Sequence, residues 1–159
     1  MVQQISNGIK ISVRTQFEGT FYKEEIIHFA FSYEVSISNE RQSPVQLLSR
    51  VWYINDALNF RESIEGDGVV GEQPIIQPSE SYNYSSGCTL KSPFGSMKGL
   101  YSMIDLMDQK KFKAKIPTFK LCTEFAQNSL IIARKIQPLI VILMSNFFTK
   151  TQYHGKRIF

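Results

Sequence analysis

The stretch that decides the fold is Ile27-His28-Phe29-Ala30-Phe31-Ser32-Tyr33-Glu34-Val35-Ser36-Ile37-Ser38. Its large apolar side chains fall on every second position from Ile27 to Ile37, and mainly polar side chains fill the positions between them. A period of two is the pattern of a β-strand with one face in a core and the other in water. The stretch therefore predicts a long, half-buried strand.

The same alternation continues on both sides of this strand. Upstream, it runs from Ile9 to Phe17, and Gly19 is expected to break that strand. Downstream, further strands are predicted over 45–55, 60–65, 82–88, 96–107 and 111–116, and a last strand begins at Phe119. Turn-forming residues separate them, and no segment has a convincing helical period. Seven or eight short strands predict an all-β sandwich or barrel.

Composition places the chain among ordinary globular proteins of a reducing compartment. Hydrophobic residues make up 43% of the 159 residues and charged residues 20%, which excludes a disordered chain. Two cysteines, Cys88 and Cys122, are too few for a disulfide framework. The N-terminus has no signal-peptide pattern. These features predict a cytoplasmic protein.

The net charge of +4 comes from one end of the chain. Residues 1–128 hold 13 Lys and Arg against 14 Asp and Glu, whereas residues 129–159 hold five Lys and Arg and no acid. The basic balance therefore does not support a nucleic-acid partner for the body of the protein. The division predicts a domain over 1–128 and an apolar, basic C-terminal extension over 129–159.

The extension does not have the pattern of a membrane anchor. A spanning helix needs about 20 predominantly apolar residues, and here Arg134, Lys135 and Pro138 interrupt the apolar run. We expect the extension either to pack on the domain or to be disordered.

One loop carries a phosphate-binding spelling, Gly66-Asp67-Gly68-Val69-Val70-Gly71-Glu72-Gln73-Pro74. A GxGxxG motif binds dinucleotide phosphates where it opens a helix, but the prolines that follow forbid a helix here. A glycine-bent structural turn is the favoured interpretation. A pyrophosphate or nucleotide site is the alternative, although Glu65, Asp67 and Glu72 would repel phosphate unless a divalent cation bridged them.

The same loop is the predicted binding surface, because loops at one end of a sandwich carry recognition. The main-chain N–H groups of Gly68 and Gly71 are expected to donate hydrogen bonds to the bound group, and Glu72 and Gln73 to fix the loop or contact a partner. The predicted site is Gly66, Asp67, Gly68, Gly71, Glu72 and Gln73.

No constellation of side chains predicts catalysis. His28 and His154 are the only histidines, and neither stands at zinc-ligand spacing or beside a catalytic partner. Cys88 is expected to be a buried small hydrophobe, and Trp52 to lie in the core. Lys111, Lys113 and Lys115 alternate on one strand face, which suits a solvated sheet edge. The sequence therefore predicts a protein that is not an enzyme and that has no resident metal or cofactor.

Five segments, taken together and in order, resemble the ApaG domain family. They are Leu47-Leu48-Ser49-Arg50-x-Trp52-x-Ile54, Gly66-x-Gly68-Val69-Val70-Gly71-Glu72-Gln73-Pro74, Tyr84-x-Ser86-Gly87-Cys88-x-Leu90, Pro93-x-Gly95-x-Met97-x-Gly99-x-Tyr101-x-Met103 and Ile116-Pro117-x-Phe119-x-Leu121. The resemblance covers about residues 3–127, so the extension lies outside it.

The resemblance implies an immunoglobulin- or fibronectin-III-like β-sandwich and a non-catalytic interaction module with a protein partner. The bacterial gene of the family often neighbours a diadenosine-tetraphosphate hydrolase, and the family is associated with cobalt and magnesium homeostasis. Those links favour the alternative of a phosphate or metal connection, but they name no catalytic residue. A homodimer is a further alternative that the sequence leaves open.

Overall fold

The structure, a computed structural model, describes residues 1–58, 60–124 and 126. Nine β-strands lie in this part of the chain. They are β1 (Val2–Ser6), β2 (Ile9–Lys23), β3 (Ile26–Asn39), β4 (Val45–Asp56), β5 (Arg61–Asp67), β6 (Ile75–Ile76), β7 (Ser81–Leu90), β8 (Phe94–Asp105) and β9 (Lys111–Cys122). The prediction of an all-β protein is therefore confirmed.

The strands form two antiparallel sheets that pack as a sandwich. One sheet has the order β1-β2-β3-β7, and the other has the order β5-β4-β8-β9, with the short β6 paired to the start of β4. Residues Met1–Thr123 form one compact unit. Of the two architectures that the strand pattern allowed, the sandwich is the one observed.

The core forms between the sheets from the alternating side chains. The predicted strand over 27–38 is β3, and its side chains from Phe29 to Ile37 at odd positions are all buried. Trp52 lies at the centre as predicted, with its ring 5.5 Å from that of Tyr33 and 5.8 Å from that of Phe119, measured between centroids. Aromatic rings packed edge to face at such distances stabilise a core beyond their buried area alone.

Two predicted strand ends are wrong for the same physical reason. Gly19 does not end β2, because the strand continues to Lys23 after a bulge between Phe17 and Gly19. Pro117 does not end β9 either. It lies in a bulge between two regular pairs, Gly99 opposite Ile116 and Met97 opposite Phe119, and the pairing continues on both sides. A bulge accommodates both a glycine with positive φ and a proline without an N–H.

The remaining predictions about organisation fall outside this part of the chain. The boundary between residues 128 and 129 and the whole extension 129–159, including His154, lie outside the described residues. Among the residues that are described, no helix has both the length and the hydropathy needed to cross a membrane.

Candidate functional site: the glycine loop

The glycine loop, residues 66–74, joins two strands that both pair with β4. β5 ends with Asp67 opposite Ser49, and β6 begins with Ile75 opposite Gln46. The chain must therefore leave the sheet after Asp67 and return to the same strand within eight residues. The predicted helix-free setting is confirmed, because strands flank the loop on both sides.

A two-residue hairpin forms the tip of the loop. The N–H of Val69 donates to the carbonyl of Glu72 at 2.8 Å, and the N–H of Glu72 donates to the carbonyl of Val69 at 3.0 Å. The two residues between them, Val70 and Gly71, have φ of 50° and 80°. Positive φ at both central positions defines a type I′ turn, which rarely contains a β-branched residue.

The first two glycines have close neighbours, which are a flexible side chain at Gly66 and the backbone at Gly68. A Cβ on Gly66 would lie 3.0 Å from Nη1 of Arg50, and a Cβ on Gly68 would lie only 2.0 Å from the carbonyl oxygen of Glu72. Gly68 also has φ of 57°. Gly71 differs, because a Cβ there would meet nothing within 4 Å. Backbone packing thus explains the glycine at position 68 without a phosphate.

Arg50 holds the loop from its inner side. Its Nη1 donates to the carbonyl oxygens of Asp67 and Gly68 at 2.9 and 2.8 Å. The carbonyl of Leu48 on β4 also holds the loop. It accepts hydrogen bonds from the Gly68 N–H and from Nε2 of Gln73, each at 2.8 Å. Charge-assisted bonds to two successive carbonyls are strong and directional, so the guanidinium fixes the backbone where β5 ends.

These contacts correct one prediction and support another. The Gly68 N–H is bound inside the protein, so the expectation that it donates to a bound group is wrong. Gln73 fixes the loop, which is one of its two expected roles. Arg50 was missed as a site residue, although the motif Ser49-Arg50-x-Trp52 contains it. Only the tertiary structure shows that its side chain reaches the carbonyls of a loop 17 and 18 residues further along the chain.

The acidic residues of the loop do not converge. Glu72 is exposed and accepts a hydrogen bond from the hydroxyl of Tyr82 at 2.8 Å, which raises the pKa of that tyrosine. Asp67 is exposed at the end of β5. Within residues 1–58, 60–124 and 126, no three His, Cys, Asp or Glu side chains gather as a metal centre would require.

The six predicted residues differ in how far they are exposed. Asp67, Gly71, Glu72 and Gln73 are exposed, whereas Gly66 is half-buried and Gly68 is buried. The tip adds a residue that the prediction did not include, because 62% of Val70 is exposed while its neighbour Val69 is fully buried. The loop thus presents an apolar tip on a base fixed by hydrogen bonds.

A separate surface cavity of about 390 Å³ lies away from this loop, between the start of β3 and the ends of β4 and β7. His28, Asp56, Phe60 and Lys91 are among its lining residues. Burial opposes ionisation of Asp56, but hydrogen bonds from the Leu58 N–H, Ser92 and the Lys91 N–H outweigh it and lower the pKa of the carboxyl. This carboxylate is occupied in holding the turn after β4.

The two thiols and the paired hydroxyls of Tyr84 and Tyr101 are not activated. Burial raises the pKa of Cys88 to about 12, and it also raises that of Cys122. The hydroxyls of Tyr84 and Tyr101 lie 2.5 Å apart, and burial raises the pKa of both. At neutral pH all four groups are protonated. Cys88 is half-buried beside the core, close to its predicted role as a small hydrophobe.

The family model and the sequence relatives of this chain point to the same family. The family model of the ApaG domain matches residues 20–105. Protein ApaG of Anaeromyxobacter dehalogenans strain 2CP-1 is 44% identical over 121 residues, which cover 76% of this chain and 94% of that protein. Protein ApaG of Beijerinckia indica is 38% identical over 130 residues, which cover 82% of this chain and 99% of that protein.

Solved structures agree with the sequence relatives. A structural-genomics X-ray structure superposes with a TM-score of 0.71 at 36% identity, over 74% of this chain and 89% of that one. The Bordetella pertussis protein described as ApaA superposes with a TM-score of 0.65 at 32% identity, over 73% of this chain and 94% of that one. The fold, the glycine loop with its arginine and these relatives together show that the chain belongs to the ApaG domain family.

Proposed function

We propose that this protein is a non-catalytic binding module of the cytoplasm that contacts a protein partner through the tip of the glycine loop. The observation that carries the proposal is Val70. It is a β-branched residue with φ of 50°, and 62% of it is exposed. A β-branched residue in the left-handed region is strained by about 1–2 kcal/mol, and strain of this kind clusters at functional positions.

The surroundings of Val70 suit a contact site. The tip is closed by two backbone hydrogen bonds, and Arg50, Leu48 and Gln73 fix the base. A loop that is already in its bound shape loses little conformational freedom on binding. An exposed apolar side chain on such a loop is a good anchor for a complementary apolar hollow in a partner.

The thiols support the non-catalytic and cytoplasmic parts of the proposal. Cys88 and Cys122 are both free, as thiols are in a reducing compartment. Because burial raises the pKa of both groups, neither is a thiolate nucleophile at neutral pH.

The test is the substitution Val70→Asn. Asparagine adopts positive φ at little cost, so the variant should be more stable than the wild type by about 1 kcal/mol, measured by chemical denaturation. The same change removes the apolar tip and should abolish partner capture. Gain of stability with loss of binding is the signature of a residue retained for contact.

The full-length wild type and its variants are immobilised on beads and incubated with an extract of the cells in which the chain is naturally made. Quantitative mass spectrometry then compares the proteins that each one captures. Leu58→Asn is the matched control, since Leu58 is 59% exposed and follows the far end of β4. We expect a partner that the wild type and Leu58→Asn capture equally and that Val70→Asn loses. Equal capture by all three would reject the loop tip as the contact.

A further inference from the structure

β7 is an edge strand without the protection that edge strands usually carry. It pairs with β3 over ten successive residues, from Ser81 opposite Ser38 to Leu90 opposite Phe29, with no bulge. No strand of the described residues pairs with its other side. No residue from Ser81 to Leu90 is charged or is a proline. Such a flat, neutral edge is a template for pairing with another strand.

The edge strands β1, β5 and β9 are protected. β5 carries Arg61, Glu62, Glu65 and Asp67 within seven residues, and the outward face of β9 carries lysines. β1 has only five residues. Next to it, Asn7 Nδ2 donates to the carbonyl of Lys113 at 2.8 Å, and the Lys115 N–H donates to Ser6 Oγ at 2.6 Å, so the β1 and β9 edges are bridged.

We propose that β7 pairs with β7 of a second copy of this chain, antiparallel, across a two-fold axis at Ser86. A two-fold axis perpendicular to the sheet keeps the core-facing side of both copies on the same side. Opposed residues must then have side chains on the same face, so their numbers are both even or both odd. The pairing can centre on Ser85 or Ser86, and the side chains distinguish these two registers.

The register centred on Ser86 gives the better cross-strand pairs. On the core-facing side it sets Tyr82 against Leu90 and Tyr84 against Cys88, each twice. Centring on Ser85 sets Tyr84 against the hydroxyl of Ser86 instead. Tyr82, Tyr84 and Cys88 are half-buried against the core and Leu90 is buried within it, and aromatic side chains pair favourably with apolar neighbours across strands.

Charge favours a second copy as the occupant. Because β7 is uncharged, self-pairing opposes no like charges. The flanking residues have opposite signs at opposite ends, with the exposed Glu80 before the strand and the exposed Lys91 after it. In the register centred on Ser86, Glu80 of each copy opposes Ser92 of the other and Lys91 opposes Ser81, so the charges at each end of the paired strands have opposite signs. The inference goes beyond the proposed function, since Val70 does not lie on β7.

The first test uses a pair of double variants at two exposed positions on the outer face, Asn83 and Thr89. These residues oppose each other across the proposed axis. Asn83→Lys with Thr89→Lys sets lysine against lysine twice, whereas Asn83→Lys with Thr89→Glu sets lysine against glutamate twice. Oligomeric state is measured by analytical ultracentrifugation of the full chain.

We expect the wild type to sediment as a dimer, at about twice its 18.3 kDa. The lysine–lysine variant should be a monomer with an unchanged circular dichroism spectrum, and the lysine–glutamate variant should remain a dimer. A monomeric wild type up to its solubility limit overturns the proposal. A lysine–lysine variant that stays dimeric, or a lysine–glutamate variant that dissociates equally, overturns it as well.

The second test uses disulfide cross-linking to find which residue lies at the two-fold axis. The chain has two cysteines, so Cys88→Ser with Cys122→Ser leaves Ser86→Cys as the only thiol. Opposed residues of an antiparallel pair have Cα atoms about 4.5–5.5 Å apart, within the range that a disulfide bridges. Mild oxidation should cross-link this variant within the dimer. Ser36→Cys on β3, in the same background, should not cross-link. Equal cross-linking of both variants, or of neither, would reject the axis.

Discussion

At the scale of single residues, the Asp105 carboxylate is held by several hydrogen bonds in addition to its ion pair with Arg41. It is 3% exposed. Its carboxylate accepts hydrogen bonds from the Ser43 hydroxyl, from the Met107 N–H at 2.9 Å and from Arg41 Nη2 at 2.9 Å. The Ser43 hydroxyl and the Met107 N–H are the chief reasons that the pKa of this carboxyl falls from 3.8 to about 2.

This network predicts a pH-dependent effect of Asp105→Asn. The folded pKa is below the unfolded pKa, so the ionised carboxylate stabilises the protein above about pH 4, and this contribution disappears as pH falls through about 2. The variant should therefore melt lower than the wild type at pH 7, and the difference should shrink between pH 4 and 2. Melting temperatures measured across this range check it.

Asp108→Asn is the control for this prediction. Its side chain is 44% exposed and pairs with Lys110 at 3.1 Å, and exposed pairs of this kind contribute little. A hydrogen bond from the Lys110 N–H lowers the pKa of Asp108 as well, but water screens this exposed carboxylate, so we expect a much smaller loss of melting temperature at pH 7 than for Asp105→Asn. A constant difference between Asp105→Asn and the wild type from pH 7 to 2 would contradict the assignment of the effect to ionisation.

At the scale of elements, the glycine loop shows two glycines with the same sign of φ and different reasons for being glycine. Gly68 and Gly71 have φ of 57° and 80°. A side chain at Gly68 would collide with the backbone of Glu72, whereas one at Gly71 would enter open space. Backbone cannot move aside as the end of a flexible side chain can, so the two positions should respond differently to the same substitution.

We predict that Gly68→Ala lowers the free energy of unfolding by about 3 kcal/mol or more, from overpacking added to left-handed strain. Gly71→Ala should lower it by only about 1 kcal/mol, from strain alone. Denaturant unfolding of both variants gives the comparison. Equal losses would mean that the contact between Gly68 and Glu72 is not what requires a glycine.

The elements also show where sequence patterns mislead. Gly19 and Pro117 are ordinary strand breakers, and the sequence alone gives no reason to continue through them. Both strands continue because each residue lies at a bulge, where its own strand has one more residue than the strand that it pairs with. Whether a bulge is available depends on the partner strand, which a local pattern does not contain.

At the scale of the whole molecule, charge is separated along the chain. The body over 1–128 has 13 basic and 14 acidic side chains, and the excess of base lies in 129–159. The glycine loop belongs to the slightly acidic part, with Asp67 and Glu72 exposed on it. The Gly68 N–H and Arg50 Nη1 are already bound to carbonyl oxygens of the protein.

This arrangement predicts no saturable phosphate binding at the loop. Titration of the full chain with pyrophosphate, ATP or diadenosine tetraphosphate, each with and without Mg²⁺ or Co²⁺, should leave the melting temperature unchanged. A ligand that bound only the native state would raise it with concentration. A saturable rise that Gly71→Ala abolishes would contradict the prediction and favour the pyrophosphate alternative.

The sequence by itself determined most of the strands, because alternation and turn residues are local features, and its five motif segments indicated the family and with it the β-sandwich. It located the glycine loop for the same reason. Only the tertiary structure decided that Arg50 lies beneath that loop, that Val70 forms its strained tip, and that the uncharged β7 is an edge strand among the described residues. These properties depend on which distant segments become neighbours, and a pattern of period two is the same in an edge strand and in a central one.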